Sequence, residues 1–173
     1  MPIRLRISTP TEPIPPGRAF YQLEEEALHV LVGVPTSDRR PFSWLESEQV
    51  RFDLDRTGRL VFIEVTRPRR LWRTIDELGP PQPGEAADIR WLDFRSPLPP
   101  PLVLTNADRT RLKLEFNTGG DGRCFEAADG ITVQTDGEDG LVALWIESIV
   151  DDLAGHEIAA FREKLLGRGR RFS

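Results

Sequence analysis

The sequence predicts an α+β protein that is mostly antiparallel β-sheet, with two similar β-meander halves packed together. Three observations indicate this fold class. Residues 50–65 contain strand, turn and strand signals in order; residues 131–146 look like an imperfect second copy of that hairpin; and the C-terminal part of the chain has helical periodicity. A short helix near residues 70–78 and a C-terminal helix near residues 153–166 complete the predicted fold.

The hairpin at residues 50–65 is predicted from its alternation and from its turn. In residues 50–55 apolar and charged side chains alternate, which is the pattern of a strand with one face on a core. Asp55 and Gly58 are the residue types that a type I turn prefers at its first and fourth positions. A glycine there gives a three-residue hairpin loop with a bulge, which pairs Asp55 with Arg59.

That turn also predicts the register of the two strands. Leu54 is expected opposite Leu60, and Phe52 opposite Phe62, so that one face carries apolar cross-strand pairs. Residues 60–65 are apolar at every position but one, and a strand that is covered on both faces is usually central. We therefore expect residues 60–65 to lie in the interior of the sheet.

Alternation of apolar and polar residues predicts further short strands, at residues 3–7, 19–22, 28–32, 42–46, 89–94 and 112–116. Two proline-rich breaks, at residues 10–16 and 97–101, are predicted to be loops. Residues 23–31 also fit a helical period of 3.6, so a helix is the competing interpretation there. We prefer strand, turn and strand for that segment.

The helix at residues 70–78 is predicted from four apolar residues that are spaced as on one helix face, with a glycine and a proline after them: Leu71, Trp72, Ile75 and Leu78. The helix at residues 153–166 is predicted to be capped by Asp152. Its apolar face would carry Ile158, Phe161 and Leu165, and Gly167 would end it.

The order of features divides the chain into residues 1–84, a first β-meander repeat, and residues 85–173, a second, divergent repeat with the C-terminal helix. Duplication of one β-meander would explain that order, and independent use of β-meanders by two unrelated halves is the alternative. A larger domain buries a greater fraction of its surface than a small one. We therefore expect the halves to form one fused globular body, with the proline-rich residues 79–84 between them.

The composition limits the classes of function. The net charge of −5 argues against a general nucleic-acid binder, because affinity for phosphates comes from clustered Lys and Arg. One cysteine, Cys124, and two histidines are poor material for a zinc site, and we predict no cofactor. Residues 1–9 lack the apolar core of a signal peptide, and no stretch approaches the length of a membrane span. A soluble protein of a reducing cytoplasm is the expectation.

Two strings in the first half carry a resemblance: YQLEEEALHVLVG and, after a variable loop, VRFDLDRTGRLVFIEV. They resemble a family of small uncharacterised bacterial proteins, a domain of unknown function with the pattern Y-D-x-E-x-D-x-L-Y-I and then D-x-D-x-x-G-x-L-V-G-I-E-I. The matching residues are Tyr21, Glu24, Leu28, His29, Val30, Asp53, Asp55, Gly58, Leu60, Val61, Ile63, Glu64 and Val65. The resemblance implies a small antiparallel sheet, present as two copies if the second half is a repeat, and it implies no activity.

Three residues of the first half are candidates for binding a small molecule: His29, Asp53 and Glu64. A divalent metal would need more oxygen ligands than Asp53, Asp55 and Glu64 supply. We therefore interpret Asp53 as part of a solvated face and Asp55 as a turn residue. His29 lies on the polar face of its predicted strand, and no serine or cysteine can be tied to it, so a nucleophilic catalytic arrangement is not indicated.

The stretch at residues 67–73 is the strongest candidate in the sequence for binding an anion. It contains Arg67, Arg69, Arg70, Trp72 and Arg73. Arginines that flank a tryptophan can bind phosphates and bases by charge and stacking, or hold an acidic partner. The alternative is that the tryptophan docks into the core and the arginines are solvated. The other three tryptophans are predicted to be core anchors: Trp44, Trp91 and Trp145.

These observations favour a non-catalytic binding or self-association module over an enzyme, because no catalytic group has a plausible partner. Sheet edges and aromatic patches would bind a second copy or another protein. The second hypothesis is a small-molecule binder or enzyme with a pocket between the two halves, using His29, Asp53 and Glu64. The third is nucleic-acid binding through the Arg67 to Arg73 cluster, which needs a continuous basic face.

Overall fold

The computed structural model describes residues 3–34, 36, 39–118 and 122–170. Its regular secondary structure is mostly β-strand, with one α-helix, α1 (His156–Arg170), at the C-terminal end of the described chain. The strands are β1 (Leu5–Ser8), β2 (Gly17–Gln22), β3 (Ala27–Val32), β4 (Ser43–Glu46), β5 (Val50–Leu54), β6 (Leu60–Val65), β7 (Arg73–Thr74), β8 (Glu85–Ala86), β9 (Asp88–Trp91), β10 (Ser96–Pro97), β11 (Leu102–Thr105), β12 (Leu112–Glu115), β13 (Cys124–Ala128), β14 (Ile131–Thr135), β15 (Leu141–Ile146) and β16 (Ile149–Asp151).

The first seven-stranded sheet has the order β10–β4–β5–β6–β3–β2–β16. Its five long strands, β2 to β6, pair antiparallel. The two outermost strands come from the second half and pair in parallel with β4 and β2. The central strand is β6, which confirms that residues 60–65 lie in the sheet interior. The preferred interpretation of residues 23–31 as strand, turn and strand is also confirmed.

The second seven-stranded sheet has the order β7–β11–β12–β15–β14–β13–β8. Its strands β11 to β15 also pair antiparallel, and the short strands β7 and β8 lie parallel at its edges. In both sheets a hairpin is followed by a three-stranded meander, and the last strand of the meander pairs with the second strand of the hairpin. Short strands thus cover both edges of both sheets, which protects the long strands from pairing with other chains.

Both predicted hairpins form, with turns of the same construction. The Asp55 backbone N–H donates to the carbonyl oxygen of Arg59 at 2.9 Å, and Gly58 takes a positive φ of 87°. In the second hairpin the Asp136 backbone N–H donates to the carbonyl oxygen of Gly140 at the same distance. In each turn the aspartate carboxylate also accepts backbone N–H groups of the loop. This local chemistry explains why the turn was predictable from sequence.

The predicted register is correct at the turn and wrong beyond it. Leu54 lies opposite Leu60, but Phe52 lies opposite Ile63 and not opposite Phe62, because a bulge interrupts the pairing after Leu54. The bulge adds Val61 to β6 without a partner, so two successive residues face away from the main core. A bulge at Val142 has the same effect in β15.

One apolar cluster contains buried residues from the inner faces of both sheets and from the two-stranded pair β1–β9. Phe52 of the first sheet contacts Trp91 of β9, with ring centroids 5.1 Å apart, and Phe116, which follows β12, at 6.0 Å. The halves are also joined through the backbone. The Leu5 N–H donates to the Asp139 carbonyl oxygen, and the Trp91 N–H donates to the Gly58 carbonyl oxygen.

The predicted helix at residues 70–78 is wrong. The chain forms only a 3-10 turn, Arg69–Leu71, and then the short strand β7. The apolar residues of this segment serve different sheets: the Trp72 ring packs edge-on against Tyr21 of the first sheet, at 5.6 Å. The Leu78 carbonyl oxygen accepts a hydrogen bond from the Trp145 indole of the second sheet. Because these contacts lie on different sheets, one short helix cannot make both of them.

The C-terminal helix forms, with shifted ends. A 3-10 turn, Leu153–Gly155, precedes it, and the α-helix extends past the predicted end at Gly167. Asp152 caps the helix as predicted: its carboxylate accepts the backbone N–H of Glu157 at 2.8 Å and that of Ile158 at 3.1 Å. The predicted apolar face docks on the outer face of the first sheet, where it covers the ring of Phe62.

Replacing Asp152 by Ala is expected to destabilise the protein by about 1 kcal/mol, since a buried capping carboxylate is lost and two N–H groups become unsatisfied. Urea unfolding followed by circular dichroism would measure the loss. The neighbouring change Asp151→Ala is the control, because it removes only a partly exposed ion pair with Arg69. Equal effects of the two changes would contradict the capping role.

Candidate functional site

The outer face of the first sheet carries the three small-molecule candidates of the first half, His29, Asp53 and Glu64, together with other charged and aromatic residues. The strand register sets them in a row, in which each residue lies opposite the next: Glu46, Arg51, Glu64, His29 and Phe20. Helix α1 covers one side of this face, around His29 and Phe20, and leaves the side of β4 and β5 open. The face therefore has a buried part under the helix and an accessible part beside it.

His29 lies in the buried part and is 0% exposed. Its Nε2 is 3.3 Å from a carboxylate oxygen of Glu25, and its Nδ1 is 3.5 Å from one of Glu64. Arg162 of α1 approaches the same two carboxylates, at 3.6 and 3.7 Å. The imidazole also stacks on Phe62, with ring centroids 5.7 Å apart. The prediction that His29 lies on the polar face of its strand is correct, but the helix buries that face.

Burial lowers the pKa of His29 below its ordinary value, although the neighbouring Glu64 carboxylate raises it and Arg162 lowers it further. The imidazole is therefore neutral at neutral pH. Burial also raises the pKa of Asp53, against the effect of Arg51, whose Nε donates to the Asp53 carboxylate at 3.0 Å. The cluster ties helix and sheet together through shared carboxylates, and it presents no nucleophile to activate.

The accessible part of the face carries three aromatic rings and three arginines, which we call the aromatic–arginine surface: Phe42, Trp44, Phe94, Arg51, Arg56 and Arg95. Phe42 and Phe94 contact each other with ring centroids 5.4 Å apart, and they are 36% and 51% exposed. Trp44 is half-buried beside them, so the prediction of a core anchor is wrong for this tryptophan and right for Trp91 and Trp145.

The arginines of this surface stack on its rings. The Arg56 guanidinium lies 4.9 Å from the Phe42 centroid, and that of Arg51 lies 5.2 Å from the Trp44 ring. Arg95 reaches both Trp44 and Phe94, at 5.2 and 5.4 Å. The Arg95 backbone has a positive φ of 49°, as do five other non-glycine residues in the described part of the chain. Attraction between a guanidinium and the face of a ring stabilises each of these stacked contacts.

Two separate segments build the aromatic–arginine surface. Phe42 and Trp44 belong to the first half, and Phe94 and Arg95 follow β9 in the second half. The parallel pairing of β10 with β4 holds them together, with Ser96 opposite Leu45. Sequence reasoning missed this surface because nothing local links residues that lie about fifty positions apart in the chain. The sequence offers one local indication of this surface: Phe42 lies two positions before Trp44, so both rings should lie on the same face of a strand.

The stretch at residues 67–73 lies elsewhere, and most of its side chains have partners. Trp72 is buried and donates its indole N–H to the Arg67 carbonyl oxygen. Arg69 pairs with Asp151 at 2.7 Å and Arg70 with Glu26 at 3.2 Å. The remaining two side chains differ: Arg67 donates to Gln49, and Arg73 is exposed in β7.

A cavity of about 240 Å³ lies between residues of the two halves. Its walls come from the proline-rich loop at residues 10–16, from the starts of β6 and β9 and from the end of β3. None of His29, Asp53 and Glu64 lines it, so the residues that were expected to act in a pocket between the halves lie on a different face of the molecule.

No helix in the described part of the chain is both long and apolar enough to cross a membrane. In residues 3–34, 36, 39–118 and 122–170, no three His, Cys, Asp or Glu side chains are grouped so that they could hold a metal ion. No protein-family model matches the chain, and no curated protein matches it.

Proposed function

We propose that this chain is a non-catalytic binding module that recognises an acidic segment of a partner protein through the aromatic–arginine surface. The observation that carries the proposal is the stacking of Arg56 on Phe42 and of Arg95 on Phe94, two exposed rings. Neither arginine pairs with a carboxylate of the described residues. Tryptophan, other aromatic residues and arginine are the residue types that dominate protein–protein interfaces.

Charge favours a different protein over a second copy of this chain as the partner. Two copies that met through this surface with twofold symmetry would place the same arginines against each other. An acidic segment instead supplies carboxylates to the guanidinium groups, while its apolar side chains cover Phe42 and Phe94. Arg51 is already paired with Glu46 and Asp53, so this surface offers only two arginines without a carboxylate partner among the described residues, which is too few for the continuous basic face that nucleic acid needs.

The test uses short fluorescent peptides that alternate glutamate with leucine or phenylalanine, and matched peptides with lysine in place of glutamate. The acidic peptides are expected to bind and to change the emission of Trp44, which is the one tryptophan that is not buried. Added salt should weaken that binding. Binding of the lysine peptides, or equal binding of oligothymidylate, would overturn the proposal, as would no binding by any acidic peptide.

Arg56→Ala and Arg95→Ala are each expected to weaken binding of the acidic peptides by about tenfold or more, the loss typical of an arginine at the centre of an interface. Arg123→Ala is the matched control. It removes an exposed arginine that stacks on a ring, Phe125 at 4.9 Å, but lies in the other sheet. A loss of affinity in the control as large as in the two test variants would contradict the assignment of the site.

We also propose that the two halves arose by duplication of one β-meander, as the order of features along the sequence suggested. The support is the equal strand order of the two sheets, the equal aspartate turns at Asp55 and Asp136, and the equivalent bulges at Val61 and Val142. On this proposal only the first half kept an open outer face. In the second sheet the equivalent face is covered near Trp145 by the segment that contains Leu78.

A further inference from the structure

We infer that the cavity between the halves is a binding site for a small organic carboxylate with a compact apolar body. This site is independent of the aromatic–arginine surface, and it adds a ligand class to the proposed binding of a partner protein. The cavity volume of about 240 Å³ equals the share of roughly eight water molecules in the liquid, which suits a metabolite-sized ligand better than a drug-sized one.

The wall at residues 10–16 is fixed to both halves. The Pro16 carbonyl oxygen accepts the Gly33 N–H at 2.8 Å, and the Pro15 carbonyl oxygen accepts the Asp129 N–H at 2.9 Å. Four prolines in this loop restrict its backbone further. A wall that is rigid before the ligand arrives keeps the cavity open and lowers the entropy cost of binding.

The apolar part of the lining comes from several elements and suits a hydrocarbon body: Ile14, Val32, Leu60, Ile89, Trp91 and prolines of the loop. A ligand there would displace water from apolar walls, which is favourable in proportion to the area covered. Trp91 lines the cavity, is buried, and also contacts Phe52 of the main core. Its indole is therefore a built-in reporter of occupancy.

The charged residues of the lining determine the sign of the charge that the ligand should carry. Arg59 donates to both carboxylate oxygens of Asp88, at 3.2 and 3.1 Å, and Arg90 donates to the same carboxylate. Hydrogen bonds from Arg59 hold the pKa of Asp88 below its ordinary value, so that this carboxylate is ionised at neutral pH. The ion pair is therefore largely satisfied before any ligand binds.

Arg39 supplies a charge without a carboxylate partner among the described residues. Its guanidinium lies against the backbone of Gly33 at the cavity wall, and no carboxylate of the described residues pairs with it. The other charges of the lining are the Arg59–Asp88 pair, in which the two charges neutralise each other, and the exposed carboxylate of Glu12. A ligand carboxylate can pair with the Arg39 guanidinium through two parallel hydrogen bonds, whereas an ammonium group would be repelled by it and a phosphate dianion would bring one negative charge too many.

The probes are 4-methylvalerate and phenylacetate, with isoamylamine and phenethylamine as cationic counterparts and inorganic phosphate as the dianion. The carboxylates are expected to shift the Trp91 indole resonance in NMR titrations and to raise the melting temperature. The amines and phosphate should do neither. No response to either carboxylate, an equal response to the amines, or shifts that lie outside the cavity would overturn the inference.

Two variants and a control test the residues. Arg39→Met keeps an apolar stem and removes the charge, and it is expected to weaken carboxylate binding about tenfold or more. Arg40→Met is the control, because Arg40 is exposed and does not line the cavity. Ala127→Leu should fill the cavity and abolish binding. Full binding by the Ala127→Leu variant, or equal losses in the Arg39 and Arg40 variants, would contradict the site. Peptide binding at the aromatic–arginine surface should survive all three changes.

Discussion

Replacing Ile63 by Asp is expected to unfold the whole chain, including the second sheet. Ile63 is 0% exposed in the central strand of the first sheet, where it lies opposite Phe52. An aspartate there would bury a carboxylate without a partner, which costs at least about 3–5 kcal/mol. That loss is comparable to the total stability of a typical domain, about 5–15 kcal/mol.

The second sheet should unfold with the first because they share one core. The apolar cluster around Ile63 continues through Phe52 and Trp91 to the inner face of the second sheet. Each half also donates backbone hydrogen bonds to the hairpin turn of the other. A half that lost its partner would expose this apolar face to water, so we expect one cooperative transition.

Amide hydrogen exchange in β15 would measure this coupling. Thr66→Asp introduces the same side chain at an exposed position just after β6 and serves as the control. Ile63→Ala, which should cost about 2–5 kcal/mol, keeps the test informative if the aspartate variant does not fold at all. A second transition in which β15 stays protected while β5 and β6 exchange would show that the halves have separate cores.

The parts of the fold that were predictable are those with local causes. The turn at Asp55 follows from a carboxylate that accepts N–H groups two and four residues ahead, and the cap at Asp152 has a similar cause. The apolar run at residues 60–65 gave the central strand because burial on both faces leaves no place for polar residues. Such features need no knowledge of the rest of the chain.

Tertiary contacts account for the errors. The register beyond Leu54 depends on the bulge at Val61, which turns Val61 and Phe62 together toward the outer apolar cluster under α1. The strands β11 and β13 were not predicted. Strand β11 directly follows the proline-rich residues 97–101, which were predicted to be a loop, and the sequence of β13 lacks a regular alternation of apolar and polar residues. The helix at residues 70–78 was wrong because its apolar residues anchor to two different sheets.

The candidate site also has a part that was predictable from local sequence and a part that depends on tertiary contacts. Alternation along the sequence put His29 and Asp53 on the polar faces of their own strands. The register of β3, β5 and β6 brings them together with Glu64 on the outer face of the first sheet, and not in the expected pocket between the halves. Burial of His29 could not be predicted, because it requires that α1 dock on that face. The pairing of Phe42 with Phe94 depends on β10 joining the edge of the first sheet, and the sequence contains no local signal for that contact.

The second large effect concerns pH: the protein is expected to lose stability as the pH falls below about 6.5, the ordinary pKa of histidine. Burial lowers the pKa of His29 in the folded state, so the unfolded chain binds more protons in the range between the two values. Stability therefore decreases with falling pH in that range, by up to about 1.4 kcal/mol per pH unit from one group. Below the lowered pKa of folded His29, this contribution changes no further.

His29→Gln should remove this pH dependence, because glutamine does not titrate. Urea unfolding of the unmodified protein and of the His29→Gln variant, from neutral to mildly acidic pH, would measure how the free energy of unfolding changes with pH in each. Carboxylates that titrate equally in the two proteins contribute equally to both slopes, so the difference between the slopes reports His29. His156→Gln is a matched control, since the chain has two histidines and His156 is exposed on α1. An unchanged slope in the His29 variant, or an equal change in the control, would contradict the prediction.

The charged groups around His29 determine which part of the structure acid destabilises first. Glu25 and Glu64 are shared between His29 and Arg162, so a protonated imidazole competes with the helix arginine for the same carboxylates. Acid should therefore weaken the attachment of α1 to the first sheet before it unfolds the core. Hydrogen exchange of the α1 amides is expected to rise with falling pH at pH values where β6 remains protected. If α1 and β6 lose protection together, acid acts on the whole fold and not first on the helix.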